Sequence, residues 1–192
     1  MTVGLFGGTF DPVHMGHLII TEWIREHFAL QKIIFIPAFL PPHKVKKNIT
    51  DIKHRLEMLT LAISDNSYAE ISDVEICEQK TVYTIDTLRI LSEKYKDLYF
   101  IIGEDSLRDF PTWKNPEEIL EKAKIVVACR KDYSDNAVSG GYSENRILFC
   151  DSPEVAISST QIRERVKEGK SIKNLVHPAV EEYIIKNSLY KE

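Results

Sequence analysis

A pair of glycines between an apolar run and a helical pattern constrains the fold of this chain most. The stretch VGLFGGTFDPVHMGHL spans residues 3–18 and changes character at Gly7 and Gly8. The residues before the pair resemble a buried strand, and an apolar helical pattern begins at about His17. Glycine has no Cβ, so the turn lets a ligand approach the backbone closely. The stretch therefore predicts strand, tight turn and helix, with a phosphate site at the helix start.

Two histidines lie at the predicted helix entrance. His14 and His17 flank Gly16, so both imidazoles can face the same anion. The segment matches neither the GxGxxG nor the GxxxxGK[ST] fingerprint, so a dinucleotide oxidoreductase or a Walker-type nucleotidase is not indicated. A plain glycine turn followed by a helix cap is the structural alternative.

The rest of the chain predicts an α/β fold with parallel strands. An apolar helix face (Leu18, Ile19, Ile20, Trp23, Ile24 and Phe28) is followed by a buried strand at residues 32–38. Such a unit is right-handed and parallel, and ligands bind beyond the carboxyl ends of its strands. Further strands are predicted at residues 69–76, 98–102, 125–129 and 147–150. Helices are predicted from an N-cap at Thr50, with Arg55 and Glu57 on the solvent side, from an N-cap at Thr84, and from Pro178.

The composition of the chain argues against several classes of protein. A chain of 192 residues with 43% hydrophobic residues fits one domain over residues 1–192. A formal net charge of −4 argues against nonspecific nucleic-acid binding. Cys77, Cys129 and Cys150 are far apart and suggest neither disulfides nor a zinc site. Without a signal peptide or an apolar run near 18 residues, we expect a cytoplasmic protein that does not bind membranes.

A basic loop follows the second predicted strand. Residues 39–47 read FLPPHKVKK, and the two prolines end the strand. Lys44 and His43 are candidates to face a phosphate, because the loop lies at the ligand end of the sheet. A solvated basic loop is the alternative. Spacing does not decide which of Lys44, Lys46 and Lys47 reaches a ligand.

The second half of the chain offers further polar candidates. Gly103 and Asp105 follow a strongly apolar strand, so Asp105 can bind ribose hydroxyls or cap the next helix. Trp113 lies in a proline-flanked loop, where it either fills a gap between helices or stacks on a planar ligand. Residues 130–146 form a polar loop that is a lid or only a surface segment.

The segment ISSTQIR, residues 157–163, predicts a second anion site. Ser158 and Gln161 have capping-box spacing, so a helix begins there. The hydroxyls of Ser158, Ser159 and Thr160, with the helix amides and Arg163, can together bind phosphate, because the planar guanidinium can engage two phosphate oxygens.

These motifs together resemble one family. GGTFDPVHMGHL is similar to the HxGH signature of the nucleotidylyltransferase superfamily, and PPHK, YTIDTL, GEDS with the following tryptophan, and ISSTQIR resemble the bacterial nicotinate-nucleotide adenylyltransferases. The resemblance covers nearly the whole chain. It implies a Rossmann-like doubly wound parallel sheet with a C-terminal helical segment. It also implies adenylyl transfer from ATP to nicotinate mononucleotide, giving nicotinate adenine dinucleotide and pyrophosphate.

The resemblance also assigns residues. The catalytic residues would be His14, His17 and Arg163. ATP would be bound by these three and by Gly7, Gly8, Thr9, Phe10, Gly103, Asp105, Ile157, Ser158, Ser159 and Thr160. Nicotinate mononucleotide would be bound by Lys44, Thr84 and Trp113, and Tyr83 is a further candidate.

The remaining expectations concern cofactor, assembly and alternatives. Mg²⁺ would be carried by the ATP phosphates, because no acidic cluster suggests a metal cage built by the protein. A homodimer is possible. The alternatives are a pantetheine-phosphate adenylyltransferase, a cytidylyltransferase, or a nucleotide sensor without turnover.

Overall fold

A parallel sheet forms the centre of the molecule. The computed structural model describes residues 1–39, 49–78, 82–129 and 146–191. Within these residues six strands form one sheet, and every neighbouring pair is parallel. The strands are β1 (Thr2–Gly8), β2 (Lys32–Pro37), β3 (Ala69–Ile71), β4 (Asp97–Gly103), β5 (Lys124–Cys129) and β6 (Ile147–Asp151). Their order, β3-β2-β1-β4-β5-β6, is the doubly wound order of Rossmann folds. The predicted fold class is confirmed.

Helices connect the strands and follow the last one. They are α1 (Met15–His27), α2 (Ile52–Ile63), α3 (Val74–Cys77), α4 (Thr84–Lys94), α5 (Glu104–Asp109), α6 (Pro116–Lys122), α7 (Ser159–Lys167) and α8 (Pro178–Lys186), with a 3₁₀ turn at Phe110–Thr112. The last two form the predicted C-terminal helical segment. None of the helices in the described part of the chain has the length and apolar character needed to cross a membrane.

Each face of the sheet buries its own apolar core, and β2 shows how. Ile34 and Ile36 pack in the core that contains residues of α4 and α6. Ile33 and Phe35 pack in the core that contains residues of α1, α2, α7 and α8. Successive strand side chains point to opposite faces, so an unbroken apolar run supplies both cores. Burying one such side chain contributes about 1.5–3 kcal/mol.

The predicted third strand, residues 69–76, is too long. β3 ends at Ile71, and the helix α3 begins at Val74. The carbonyl of Asp73 accepts hydrogen bonds from the amides of Ile76 and Cys77, at 2.8 and 2.9 Å. These bonds close a helical turn, so the loosely alternating pattern covers two elements.

The first helix also differs from its prediction. α1 begins before His17, with His14 as its N-cap. Two members of the predicted apolar face, Ile19 and Trp23, are 37% and 46% exposed. The Trp23 indole Nε1 donates to the carbonyl oxygen of Asp151 at 2.7 Å. That bond explains how a tryptophan can remain at the surface beside the edge strand β6.

Two predicted N-caps lie one residue away from the observed ones. Asp51, not Thr50, caps α2, because its carboxylate accepts from the Lys53 amide at 2.8 Å. Tyr83, not Thr84, is the N-cap of α4, and Thr84 is the first helical residue. Both helices nevertheless lie where the apolar pattern predicts them.

Candidate active site

The first loop, residues 9–14, joins β1 to α1 at the carboxyl edge of the sheet. Phe10 has a φ of 49°, a left-handed conformation that costs a non-glycine residue about 1 kcal/mol. A Cβ on Gly8 would lie 2.9 Å from the Phe10 ring, whereas a Cβ on Gly7 would lie 3.8 Å from Phe100. The packing of the loop therefore requires glycine at Gly8. At Gly7 the fold leaves room for a side chain.

His14 and His17 stack on each other at the start of α1. Their ring centroids are 3.6 Å apart and their planes differ by 19°. The His14 amide donates to Nδ1 of His17 at 3.2 Å, so neutral His17 carries its ring proton on Nε2. Phe6 and Phe10 contact the His17 ring edge to face. These contacts fix the orientation of the donor.

Burial changes the pKa and the hydrogen bonding of His14. Its side chain is only 7% exposed, and burial lowers its pKa to about 4, so the imidazole is neutral at pH 7. Its Nδ1 is buried and has no hydrogen-bond partner among the described residues. Buried polar atoms are nearly always paired, so this atom marks a place where a ligand can bind.

The N-terminus of α7 is bound directly to the first loop. The Ser159 hydroxyl donates to the carbonyl of Pro12 at 2.9 Å. Arg163 donates through Nη1 to the carbonyl of Asp11 at 2.6 Å and through Nη2 to the Thr160 hydroxyl at 3.2 Å. The fold therefore joins the two predicted anion-binding segments, which lie far apart in the sequence.

The local structure around α7 agrees with the sequence pattern. The Gln161 amide donates to the Ser158 hydroxyl at 3.2 Å, which confirms the predicted cap. Ile157 is half-buried against the core on this face of the sheet. A Cβ on Gly16, the glycine between the two histidines, would lie 3.3 Å from Cγ1 of Val155. Glycine there lets α1 approach the segment that precedes α7.

A buried arginine holds the backbone at the same edge of the sheet. Arg55 is 1% exposed. Its Nε donates to the carbonyl of Thr50 at 2.9 Å. Nη1 donates to the carbonyls of Thr9 and Ala38, both at 2.8 Å, and Nη2 donates to that of Phe39 at 3.1 Å. Arg55 thus ties together the chain segments that leave β1 and β2 and the one that enters α2.

The prediction that Arg55 lies on the solvent side of α2 is wrong, whereas Glu57 is exposed as predicted. The sequence did contain a signal. Arg55 precedes Met58, Leu59 and Ala62 at helical spacing, and all three are buried. A charged residue in register with an apolar face indicates a buried, hydrogen-bonded group.

A cavity of about 510 Å³ opens on the other side of the first loop. It lies beyond the carboxyl ends of β1 and β4, where ligands bind in such sheets. Seven of the predicted site residues line it: Gly7, Gly8, Thr9, Tyr83, Thr84, Gly103 and Trp113. The two histidines and the predicted residues of α7 lie outside this lining. The predicted residues therefore form two groups that share the first loop.

Trp113 and the start of α4 form one wall of the cavity. Trp113 is half-buried, and it packs against Phe100 and Phe110 with ring centroids 6.3 and 5.5 Å apart. The side chain of the N-cap residue Tyr83 makes no capping hydrogen bond, and the amides near Thr84 provide positive potential at the cavity wall. Both features line the cavity.

The cavity wall also contains a carboxyl group that the sequence pattern did not single out. Glu75 lines the cavity, and its Oε1 accepts from the Thr87 hydroxyl at 2.8 Å. Burial raises the pKa of Glu75, although the hydrogen bond from Thr87 opposes this effect. The residue was hidden because it lies in the segment interpreted as a strand.

Asp105 and Gly103 differ in their relation to the cavity. Gly103 lines it and is the N-cap of α5, so the prediction that Asp105 caps this helix is wrong. The Asp105 side chain is 96% exposed and pairs with Arg108 at 3.2 Å. It does not line the cavity.

Two predictions fall on residues outside the described ranges. The basic loop with Lys44, His43, Lys46 and Lys47 is one of them, and residues 130–145 of the predicted polar loop are the other. A phosphate-binding role for Lys44 therefore remains a prediction.

Comparison with protein families identifies one match. The model of the cytidylyltransferase-like family matches residues 5–165. This range contains the first loop, the cavity residues and the start of α7.

Curated relatives extend this match over the full length. A probable nicotinate-nucleotide adenylyltransferase of Dictyoglomus thermophilum is 45% identical over 195 residues, covering 99% of this chain and 100% of the relative. A relative with the same description from Thermoanaerobacter sp. is 42% identical over 201 residues, covering 100% of this chain and 95% of the relative.

Solved structures share the fold at lower identity. The nicotinic acid mononucleotide adenylyltransferase of Plasmodium falciparum, solved in complex with NaAD, superposes with a TM-score of 0.81 at 22% identity, covering 98% of this chain and 97% of that one. A putative nicotinate-nucleotide adenylyltransferase of Vibrio parahaemolyticus gives a TM-score of 0.73 at 24% identity, covering 100% of this chain and 97% of that one.

Proposed function

The chain belongs to the cytidylyltransferase-like family, and we propose that it transfers the adenylyl group of ATP to nicotinate mononucleotide. The products are nicotinate adenine dinucleotide and pyrophosphate. One observation carries the proposal: the first loop borders the cavity on one side and is bonded to the start of α7 on the other. One short segment can therefore hold two nucleotides against each other. The full-length relatives named for this reaction support the same assignment.

The reaction needs no nucleophile from the protein. A phosphate oxygen of nicotinate mononucleotide attacks the α-phosphorus of ATP and forms a new P–O bond. The bond between the α-phosphorus and the bridging oxygen breaks, and its electron pair leaves with pyrophosphate. The protein must hold both partners in line and stabilise negative charge on the transferring group.

The ATP side of the site consists of the first loop, the two histidines and the start of α7. His17 presents an Nε2–H donor, and the hydrogen bond from the His14 amide to Nδ1 fixes the orientation of the ring. Such a donor stabilises charge on the α-phosphoryl oxygens. Neutral His14 offers its unpaired Nδ1. The Arg163 guanidinium and the hydroxyls of Ser159 and Thr160 complete the anion site.

The nicotinate side is the cavity. The pyridine ring stacks on Trp113, and its carboxylate accepts hydrogen bonds from the amides at the start of α4, near Thr84. Gly103 admits a ribose, since a Cβ built on it would meet no atom within 4 Å. Lys44 would neutralise the phosphate of this nucleotide.

Magnesium enters this proposal as part of the substrate. Within the described ranges no three His, Cys, Asp or Glu side chains lie together in a way that could hold a metal ion. We assign Mg²⁺ to the phosphates of ATP, which it usually reaches with several of its own waters. A cytoplasmic location and one domain over residues 1–192 complete the proposal. They fit the water-soluble substrates and the single sheet that the described residues form.

The position of a label tests the reaction. The protein is supplied with nicotinate mononucleotide, Mg²⁺ and ATP labelled at the α-phosphorus. The expected product is a labelled dinucleotide, together with unlabelled pyrophosphate in equal amount. Recovery of the label in AMP or ADP without labelled dinucleotide would contradict adenylyl transfer. It would indicate hydrolysis of ATP or phosphorylation instead.

A further inference from the structure

The carboxyl group of Asp11 connects the first loop to the C-terminal part of the chain. Asp11 is 4% exposed. Its Oδ1 accepts a hydrogen bond from the Tyr190 hydroxyl at 2.8 Å, and its Oδ2 accepts one from the Thr50 amide at 3.3 Å. A buried carboxylate needs such donors. Tyr190 and Thr50 therefore anchor the loop through its only acidic side chain.

The main chain of the same residue holds Arg163. The Asp11 carbonyl accepts from Nη1 of Arg163 at 2.6 Å, and the next carbonyl, that of Pro12, accepts from Ser159. The position of Asp11 thus sets the position of the guanidinium. A displacement of the Asp11 side chain would therefore move the guanidinium that we propose to bind the phosphates of ATP.

Tyr190 has an unusual backbone conformation and a raised pKa. It follows α8 and has a φ of 63°, in the region that non-glycine residues rarely adopt. Burial raises the pKa of Tyr190, as does the neighbouring Asp11 carboxylate. The phenol therefore stays protonated and keeps donating throughout the physiological pH range.

We propose that Tyr190 is a positioning residue for adenylyl transfer, which acts through Asp11 to hold the first loop and Arg163 in their reactive arrangement. This inference rests on the proposed function. It gives the segment after α8 a role beyond closing the core.

Two tyrosine variants separate positioning from plain stability. Tyr190→Phe removes the hydroxyl that reaches Asp11. Tyr183→Phe is the matched control, because the hydrogen bond of the Tyr183 hydroxyl, to His54 Nδ1 at 2.9 Å, joins α8 to α2. Each variant is assayed for kcat, for KM of both substrates and for Tm, with rates measured well below the melting temperature.

We expect Tyr190→Phe to lower kcat about tenfold, since small misplacements of reacting groups are costly, and to leave the KM for nicotinate mononucleotide within about twofold. Tyr183→Phe should lower Tm to a similar extent but keep kcat within about twofold. Equal kcat for both variants, or a loss of kcat that follows Tm in both, would overturn the inference.

Amide hydrogen exchange tests the positioning without relying on activity. In Tyr190→Phe the amides of residues 9–17 should exchange faster, while those of β4 remain as in the wild type. In Tyr183→Phe the loop should stay protected. An inactive wild-type protein would refute the proposed function, whereas unchanged loop exchange in Tyr190→Phe would refute the positioning role.

Discussion

His14 and His17 carry the same side chain, but their surroundings give them different properties. His17 receives a hydrogen bond on Nδ1 and is held by two phenylalanine rings, so it presents a defined Nε2 donor. His14 is buried, and its pKa is lowered to about 4. The His14 imidazole is therefore neutral at pH 7, and the His17 donor, which we propose to face charge in the transition state, has a fixed orientation.

Replacing His17 tests that donor. We expect His17→Ala to lower kcat at least a hundredfold, because losing one preorganised donor to a transition-state oxyanion costs about 3 kcal/mol. The circular dichroism spectrum should be unchanged. His27→Ala, at the exposed end of the same helix, is the control and should retain wild-type turnover. A fully active His17→Ala protein would exclude this role.

The buried state of His14 has a consequence for stability. Its folded pKa of about 4 lies below the unfolded value of 6.5, so below pH 6.5 the unfolded chain binds the proton more readily. The contribution of His14 to folding thus falls as the pH drops from 6.5 towards 4. Between pH 7 and 4.5 the free energy of unfolding should fall by roughly 2–3 kcal/mol more in the wild type than in His14→Asn.

Urea denaturation at several pH values measures this difference. Asparagine suits the comparison because it is also a favourable N-cap. If the free energy of unfolding changed with pH in the same way for wild type and His14→Asn, the result would contradict a buried, neutral His14.

Elements of secondary structure meet at Arg55. The guanidinium bonds to backbone carbonyls that belong to the ends of β1 and β2 and to the start of α2. Those carbonyls lie where neither strand ladder nor helix can satisfy them. One side chain therefore takes the place of several backbone hydrogen bonds at the edge that carries the site.

Removing this side chain should destabilise the whole edge. We expect Arg55→Leu to lower the free energy of unfolding by about 3 kcal/mol or more, because each buried carbonyl left without a donor costs about 1–3 kcal/mol. Arg108→Leu is the control, since Arg108 is 62% exposed, and it should change stability by less than about 0.5 kcal/mol. Equal effects in thermal or urea denaturation would refute the structural role of Arg55.

Element types were predictable wherever apolar periodicity was unbroken, as in β2, α4 and α8. The errors arose from polar residues whose partners are distant in sequence. Arg55 is buried because carbonyls from three other segments surround it. Glu75 lies in a short helix that the alternation of residues 69–76 does not distinguish from a strand. Trp23 remains exposed because β6 supplies a hydrogen-bond acceptor. The helical register of Arg55 with buried apolar residues can indicate that it is buried, but no local pattern identifies the distant partners in these contacts.

The whole molecule brings together motifs that the sequence keeps apart. The doubly wound order puts the ends of β1 and β4 side by side, and the C-terminal helices return residues 157–163 to the first loop. The motifs predicted candidate site residues, and the fold brings those of the first loop and of residues 157–163 together. The division into a cavity on one side of the loop and, on the other, the start of α7, where we propose the anion site, became visible only in the structure, because it depends on how α7 packs.

The choice of acceptor is a property of the whole site, and it tests the account most directly. Pyrophosphate release is measured with ATP and Mg²⁺ and with nicotinate mononucleotide, nicotinamide mononucleotide or phosphopantetheine at equal concentration. We predict strong preference for nicotinate mononucleotide, because a carboxylate gains more than an amide from the amides at the start of α4. Turnover only with another acceptor would contradict the assignment of the cavity.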